Sequence, residues 1–452
     1  MPGSNPFFHR GPIHDRDYFF GREHATAQAL FLLGNGQSIS LVGQRRIGKS
    51  SFLFHLADPH IFTPSGLDPA QHLFVYLDCG SLSTLPPPDL YQVLLEEIGD
   101  ALADAGSPFP LNFETDPVHP LTYRVFEQTL RNLTRQGWRL IVLLDEFERL
   151  SRNPHLDPDF FSGLRALTAR YPVAYVTASK QPLLELTYAN ASALSSPFFN
   201  IFASIRLGLF SDAEAHNLLT TLAARSGLTF SPPTLDSLLD LTGPHPLFLQ
   251  IAGFHAFELA QTWEQTSEVR SAKTSEVSLD HAELRRRFLA SVEEHFGYYW
   301  RSLSPDEQRA LATLPAARPG STLTSLEKAC LIIRRNDHYD YLSPAFRAFI
   351  QAQPVPGLLQ AGPVTIDREQ HQALLHGQPL LLTTTQYTLL MHLVERAGQV
   401  VTNEALEQAL WGENYVEDPE RLKSVIKGLR QALGADAAWL ENVRGVGYRF
   451  LP

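Results

Sequence analysis

The chain has 452 residues, which at roughly 150 residues per domain predicts about three domains. Its net charge of −11, from 37 basic and 48 acidic residues, excludes a uniformly basic nucleic-acid binder, so any nucleic-acid surface must be local. Two cysteines, Cys79 and Cys330, exclude a disulfide scaffold and favour a reducing compartment. The sequence contains neither an apolar run of membrane-spanning length nor an apolar signal-peptide core at its start. We therefore expect a cytoplasmic protein.

The first half of the chain is predicted to be an α/β domain. Residues 1–20, rich in Pro and Gly, predict an extended arm, and residues 21–208 predict the domain itself. Short apolar segments predict five buried strands, at Ser38–Val42, Leu73–Leu77, Leu140–Leu144, Val173–Thr177 and Ile201–Leu207. Helical segments such as 89–103 and 121–135 separate them. This alternation predicts a doubly wound parallel sheet with helices on both faces.

The second half is predicted to be mostly helical before a small C-terminal domain. Residues 209–263 predict helices interrupted by Pro-rich turns, and residues 264–280 predict an exposed polar linker. Residues 281–351 predict a winged-helix-like domain that is mostly helical and ends in a strand, a turn and a helix. A second linker is predicted at 352–362, followed by a small α/β domain at 363–452.

A phosphate-binding loop follows the first strand. The string GQRRIGKS, residues 43–50, fits G-x-x-x-x-G-K-[ST] in full, and an apolar helix follows it. The glycines let backbone N–H groups surround phosphates, Lys49 neutralises the β- and γ-phosphates, and the Ser50 hydroxyl can ligate Mg²⁺. The alternative is a chance strand–turn–helix match. The predicted nucleotide contacts here are Gly43, Gln44, Arg45, Arg46, Ile47, Gly48, Lys49, Ser50 and Ser51.

Polar residues at the ends of two other strands complete the predicted site. The strand before Asp145 ends in two carboxylates, of which Asp145 would hold the Mg²⁺ shell and Glu146 would polarise the attacking water. The alternative for Asp145 is a helix cap. Ser179, at the end of the next strand, is expected beside the γ-phosphate, because ligands of such sheets lie at the carboxyl ends of the strands. An ordinary polar strand end is the alternative for Ser179.

These motifs resemble those of the STAND class of AAA+-related ATPases over residues 16–350. Phe20-Gly21-Arg22-Glu23 is similar to the F-x-G-R-E signature of that class, and Thr242-Gly243-Pro244-His245-Pro246 is similar to its G-x-P motif. The resemblance implies that Gly21 and Arg22 lie near the adenine and that Pro246, in a helical lid, packs against the base. It also implies ATP or ADP with Mg²⁺ as cofactors.

The C-terminal domain is predicted to contain a helix with one apolar and one basic face. Its elements are a strand at 380–383, helices at 386–396 and 403–410, a third helix begun by Asp418 and Pro419, and a terminal hairpin. On the third helix Leu422, Ile426, Leu429 and Leu433 form one buried face. Residues 421–449 carry six basic and two acidic side chains, so the local charge is +4 on an acidic chain.

This domain resembles the winged-helix output domain of OmpR/PhoB-type response regulators. The resemblance runs from Leu382 to Val443-Arg444-Gly445-Val446-Gly447-Tyr448-Arg449, a string close to the V-R-G-x-G-Y-R-F hallmark of that family. It implies that the third helix enters the major groove of double-stranded DNA and that the hairpin reaches the minor groove. A solvated basic face on a protein-binding winged helix is the alternative. The predicted DNA contacts are Arg421, Lys423, Ser424, Lys427, Gly428, Arg430, Arg444, Tyr448 and Arg449.

The two resemblances together lead us to expect an ATP-dependent transcription regulator of bacterial type. ATP is expected to open the lid, to promote self-association and thereby to permit DNA binding. Any ATPase activity is expected to be slow and to reset the switch, with an unknown inducer as a further partner. A DNA-anchored NTPase motor and a STAND scaffold whose winged helix binds protein remain alternatives.

Overall fold

A computed structural model describes residues 5–7, 11–107, 121–189, 197–266, 279–314, 320–336, 338–355, 357–412 and 419–451. The chain divides into two compact units, 1–288 and 289–452. Within the described residues no helix is long and apolar enough to cross a membrane.

The first unit is built on a five-stranded parallel sheet. Its strands are β1 (Ser38–Val42), β2 (His72–Asp78), β3 (Arg139–Asp145), β4 (Val173–Ser179) and β5 (Phe202–Arg206). Their order in the sheet is β2-β3-β4-β1-β5, and every neighbouring pair is parallel. Strands β1 and β4 are buried at every position, which is why their sequences are continuous apolar or small-residue runs. The predicted P-loop NTPase architecture with a doubly wound sheet is confirmed.

Among the described residues up to Thr266, eleven α-helices precede, connect or follow the strands. They are α1 (Glu23–Gly34), α2 (Lys49–Ala57), α3 (Pro59–Phe62), α4 (Pro87–Asp104), α5 (Tyr123–Arg135), α6 (Phe147–Leu150), α7 (Pro158–Arg170), α8 (Leu183–Ala189), α9 (Asp212–Arg225), α10 (Pro232–Thr242) and α11 (Pro246–Thr266). Helices α9, α10 and α11 contact one another and make up the segment that the sequence predicts to be a helical lid. Of the predicted linker 264–280, residues 267–278 lie outside the described residues.

The second unit begins within α12 (His281–Ser302), and its described residues form three small sheets. Its other helices are α13 (Pro305–Ala312), α14 (Ser321–Lys328), α15 (Pro344–Gln351), α16 (Thr384–Glu395), α17 (Asn403–Trp411) and α18 (Pro419–Leu433). Its strands are β6 (Ile332–Arg335), β7 (His338–Tyr341), β8 (Leu358–Ala361), β9 (Val364–Asp367), β10 (Gln372–Leu375), β11 (Gln378–Pro379), β12 (Val401–Thr402), β13 (Leu440–Val443) and β14 (Gly447–Phe450). They form the sheets β6-β7, β11-β10-β9-β8 and β12-β14-β13.

Two sequence predictions for the second unit differ from the structure. Residues 380–383 are not a strand, because Thr383 caps α16 in a reciprocal capping box with Gln386. The predicted linker 352–362 contains strand β8, in which Leu359 pairs with Ile366 of β9. The four-stranded sheet at the start of the C-terminal domain therefore has no counterpart in the predicted elements.

Candidate functional site

The phosphate-binding loop joins β1 to α2, and two of its positions require glycine. Gly48, at φ +100°, precedes the first residue of α2 in a left-handed conformation that favours glycine. A Cβ on Gly43 would lie 2.9 Å from the backbone oxygen of Leu207. The loop therefore turns sharply because its glycines permit both a left-handed residue and a close backbone approach.

Lys49 lies inside this loop. Its Nζ donates to the carbonyl oxygens of Gly43 at 2.8 Å and of Gln44 at 3.1 Å. Burial lowers the pKa of Lys49, and the carboxylates of Glu148 and Asp145 oppose that shift. The backbone of Gly43 and Gln44 thus holds the ammonium group, and neither residue lines the cavity described below.

Asp145 is the last residue of β3. Its carboxylate is buried, and each of its two oxygens accepts one hydrogen bond. Its Oδ1 accepts from the backbone N–H of Glu146 at 2.9 Å, and its Oδ2 accepts from the hydroxyl of Tyr76 at 3.1 Å. The N-cap position of α6 is occupied by Glu146, and no side chain caps that helix. The alternative role of Asp145 as a helix cap therefore has no support in the geometry.

Two glutamates follow Asp145 in different environments. Glu146 is left-handed at φ +47°, its side chain is 57% exposed, and its Oε2 lies 3.7 Å from Nε of Arg149. Glu148 has a side chain only 12% exposed, and its Oε1 lies 3.9 Å from Nζ of Lys180. Among the described residues Glu148 Oε2 is buried without a hydrogen-bond partner. Sequence reasoning missed Glu148, which lies in α6 three residues after Asp145.

A cavity of about 330 Å³ brings most of the predicted nucleotide residues together. The predicted residues that line it are Arg22, Arg45, Arg46, Ile47, Gly48, Lys49, Ser50, Ser51, Asp145, Glu146 and Pro246. The predicted position of Ser179 beside the γ-phosphate is wrong. Ser179 is fully buried, and its hydroxyl donates to the carbonyl of Gln181 at 2.7 Å. The next residue, Lys180, lines the cavity in its place.

The N-terminal arm forms part of the cavity wall, which the sequence did not indicate. Gly11 to Ile13 and Tyr18 to Phe20 line the cavity. The backbone N–H of Ile13 donates to the hydroxyl of Ser51 at 2.9 Å, and the ring of Phe19 stacks on His55 at 3.9 Å. These contacts join the arm to helix α2 directly after the phosphate loop.

Arg22 connects three parts of the first unit. Its guanidinium donates to the carbonyl of Ile47 in the loop at 3.2 Å and to that of Gly208 after β5 at 2.7 Å. Its backbone N–H donates to Glu214, the residue that closes the capping box of α9. Gly21 is held beside the same carboxylate, since a Cβ there would lie 2.8 Å from Oε1 of Glu214. Gly21 and Arg22 therefore link the phosphate loop to the lid, and only Arg22 lines the cavity.

The oxygen atoms that line this cavity are suitable ligands for a magnesium–nucleotide complex. Ser50 and Asp145 supply hydroxyl and carboxylate oxygens, which are the ligand types that Mg²⁺ prefers. The described residues contain no group of three or more His, Cys, Asp or Glu placed to hold a metal.

Helix α18 and the β13–β14 hairpin carry the predicted DNA contacts. Leu422, Ile426, Leu429 and Leu433 are buried, as predicted. The opposite face exposes Arg421, Lys423, Ser424 and Lys427, and the hairpin turn exposes Arg444. Arg421 also lies 4.2 Å from the centroid of the Trp411 ring, and Lys423 pairs with Glu420 at 2.7 Å.

Four other predicted DNA contacts have partners inside the domain. The absence of a side chain at Gly428 makes room for Gln386 of α16, and Tyr448 is buried in the core. Arg430 donates to the carbonyl of Leu440 at 2.9 Å, and Arg449 pairs with Glu441 across the hairpin. The exposed basic set is therefore smaller than the sequence suggested.

Comparisons with known proteins assign both parts of the chain. The family described as "Novel STAND NTPase 2" matches residues 29–298, and "Transcriptional regulatory protein, C terminal" matches residues 377–450. The Sensory transduction protein RegX3 of Mycolicibacterium smegmatis is 38% identical over 96 residues, which are 21% of this chain and 42% of that protein. The two-component response regulator PhoP of Pseudomonas aeruginosa is 33% identical over 98 residues, 21% of this chain and 44% of that protein. The chain thus matches less than half the length of these curated relatives.

A solved structure shares the fold of the larger part. The Walker-type ATPase of Pyrococcus abyssi is 16% identical, with a TM-score of 0.55, over 76% of this chain and 99% of that one. Both resemblances expected from the sequence are confirmed. The chain belongs to the novel STAND NTPase 2 family and continues into a C-terminal winged-helix domain of the OmpR/PhoB transcriptional-regulator type.

Proposed function

We propose that the protein is an ATP-dependent transcription regulator in which exchange of ADP for ATP controls DNA binding by the C-terminal domain. The joining of an NTPase domain to a transcriptional-regulator domain in one chain supports this proposal. The exposed basic face of α18, which includes Lys427, and Arg444 in the hairpin turn would supply the cations for phosphate contacts.

The observation that carries the gating proposal is the composition of the cavity wall. The phosphate loop, the N-terminal arm and the lid all contribute, the lid through Pro246 and Gln250. A ligand that contacts both core and lid shifts the balance between closed and open arrangements by its differential affinity for them. ATP and ADP differ by one phosphate, so residues beside Lys49 would distinguish them. We propose that the ATP form opens and self-associates, and that association places winged helices on paired DNA sites.

Hydrolysis of ATP to ADP and phosphate would return the protein to its resting form. Glu146 is the proposed group that would polarise the attacking water, Lys49 would neutralise the developing charge, and Asp145 with Ser50 would hold Mg²⁺. A switch of this kind holds nucleotide for minutes. A DNA-anchored motor, by contrast, would hydrolyse ATP at about 1–100 s⁻¹ with stimulation by DNA.

The test is selection of bound fragments from random or genomic DNA, in parallel with ADP and with a non-hydrolysable ATP analogue. Enrichment of one motif with the analogue alone supports nucleotide gating and gives the spacing of the half-sites. Lys49→Ala should abolish that enrichment, whereas Lys427→Ala should weaken DNA binding and leave nucleotide binding unchanged.

The other outcomes separate the alternatives. Equal enrichment with both nucleotides contradicts gating and leaves a DNA-binding protein whose NTPase domain has another role. Enrichment with neither nucleotide, even at low salt, favours a scaffold whose winged helix binds protein.

A further inference from the structure

The carboxylate of Asp145 is held from two directions inside the first unit. Asp145 is 4% exposed, and each of its oxygens accepts one hydrogen bond, from the backbone of Glu146 and from the hydroxyl of Tyr76. The backbone donor follows from the left-handed turn at Glu146. The phenol donor comes from a neighbouring strand, and no sequence motif points to it.

The sheet register places Tyr76 where it can reach Asp145. Strands β2 and β3 are parallel, and Tyr76 lies opposite Leu143, two residues before Asp145. Side chains two residues apart on a strand share a face, so the Tyr76 and Asp145 side chains project on the same side of the sheet. A tyrosine is long enough to bridge that offset, and its hydroxyl lies 3.1 Å from Oδ2.

The ring of Tyr76 is fixed by aromatic packing. Phe54 of α2 lies 4.6 Å from it, centroid to centroid, and His14 of the arm lies 4.0 Å from Phe54. The hydrogen bond therefore comes from a ring that packs against the helix that begins at Lys49.

We propose that Tyr76 is a positioning residue that orients the Asp145 carboxylate for binding of the magnesium–nucleotide complex. This inference rests on the proposed nucleotide-binding function. One hydrogen bond to each oxygen restricts rotation of the carboxylate and so directs its remaining lone pairs. Groups that orient a metal-binding carboxylate in this way typically change metal affinity by about 10- to 100-fold when they are removed.

The test is the Mg²⁺ dependence of nucleotide binding by Tyr76→Phe, which keeps the ring on Phe54 and removes only the hydroxyl. Binding of a fluorescent ATP analogue to the full chain is measured in EDTA and across a Mg²⁺ titration. We expect the Mg²⁺ concentration at half-maximal effect to rise about 10-fold, with affinity in EDTA unchanged. The matched control is Tyr175→Phe, which removes a hydroxyl that donates to the carbonyl of Leu164 at 3.1 Å and should leave the Mg²⁺ midpoint unchanged.

A second pair of variants shows whether Tyr76 acts through Asp145. Asp145→Asn should remove most of the Mg²⁺ dependence, and adding Tyr76→Phe to it should cause no further change. An unchanged Mg²⁺ midpoint in Tyr76→Phe, or an equal loss of affinity in EDTA, overturns the role of Tyr76 while nucleotide binding by the wild type stands. Absence of any nucleotide binding by the wild type contradicts the proposed function itself and the role of Tyr76 with it.

Discussion

The guanidinium of Arg309 lies 3.9 Å from the carboxylate of Asp367 and joins α13 to strand β9 within the second unit. Arg309 also pairs with Glu369, and its side chain is 14% exposed. Asp367 is buried, and its carboxylate accepts the backbone N–H groups of Glu369 and Gln370. The C-terminal domain is therefore attached to the preceding helical segment by an ion pair, in addition to the chain itself.

Loss of this ion pair should destabilise the second unit. Arg309→Met leaves the buried carboxylate of Asp367 without its cation, and this unpaired buried charge should lower the free energy of unfolding. Denaturant unfolding of the full chain, with a probe in the second unit, measures the change. Arg335→Met is the matched control, because Arg335 and Asp340 are both exposed and 3.7 Å apart, and such a pair contributes less than about 1 kcal/mol. Equal effects of the two substitutions would contradict the structural role of Arg309.

The two glutamates after Asp145 should have separable effects. Glu146→Gln removes the proposed base and should lower ATP hydrolysis at least about 100-fold with nucleotide binding retained. Glu148→Gln removes a carboxylate that lies near Lys180 and whose negative charge would repel a bound phosphate. The substitution should therefore tighten ATP binding about 3- to 10-fold relative to ADP binding. Glu127→Gln, on a helix that does not line the cavity, is the control for both assays. The assignment is reversed if Glu148→Gln abolishes hydrolysis and Glu146→Gln does not.

Stability should fall below neutral pH because of His55. Burial lowers the pKa of His55 from 6.5 to about 4, and the nearby charge of Asp58 only partly opposes the shift. As the pH falls, the unfolded chain takes up this proton first. The contribution is therefore fully present above about pH 6.5 and is lost as the pH falls towards 4. We expect a loss on the order of 1–2 kcal/mol, because the ring is only partly buried.

Free energies of unfolding at about pH 7.5 and about pH 5 test this prediction. His55→Gln should reduce the difference between the two values. His60→Gln, at a histidine whose side chain is 72% exposed, should leave it unchanged. An identical pH difference in the wild type and in His55→Gln would show that other groups cause it.

The basic residues of the C-terminal domain should divide into DNA contacts and structural donors. Lys427→Ala removes an exposed cation and should reduce the slope of log K for DNA against log salt concentration by about 1. Arg430→Met removes the donor to Leu440 and should lower the unfolding free energy by about 1 kcal/mol with a smaller change in that slope. DNA binding measured at several salt concentrations, with unfolding measured in parallel, separates the two. A larger slope change for Arg430→Met than for Lys427→Ala would assign Arg430 to DNA.

The features predicted correctly are those that depend on local pattern. All five strands of the first unit appear within two residues of their predicted ends, since buried parallel strands are short apolar runs between helices. The sheet at 358–379 was missed because its strands are only two to four residues long and have no clear alternation of apolar and polar residues. The helix cap at Thr383 was mistaken for part of a strand, because threonine favours both strands and helix N-caps.

The sequence by itself determined the order of domains, the phosphate loop, the pair Asp145 and Glu146, and the apolar face of α18. Each of these can be recognised from residues that are close together in the sequence, because the structure it forms depends mainly on those residues. Only the tertiary structure decided that Tyr76 contacts Asp145, that the arm lines the cavity, and that Gly428 and Arg430 serve packing within the domain. Those relationships join residues far apart in the chain, and their distances follow from sheet register and helix packing, which a local pattern does not specify.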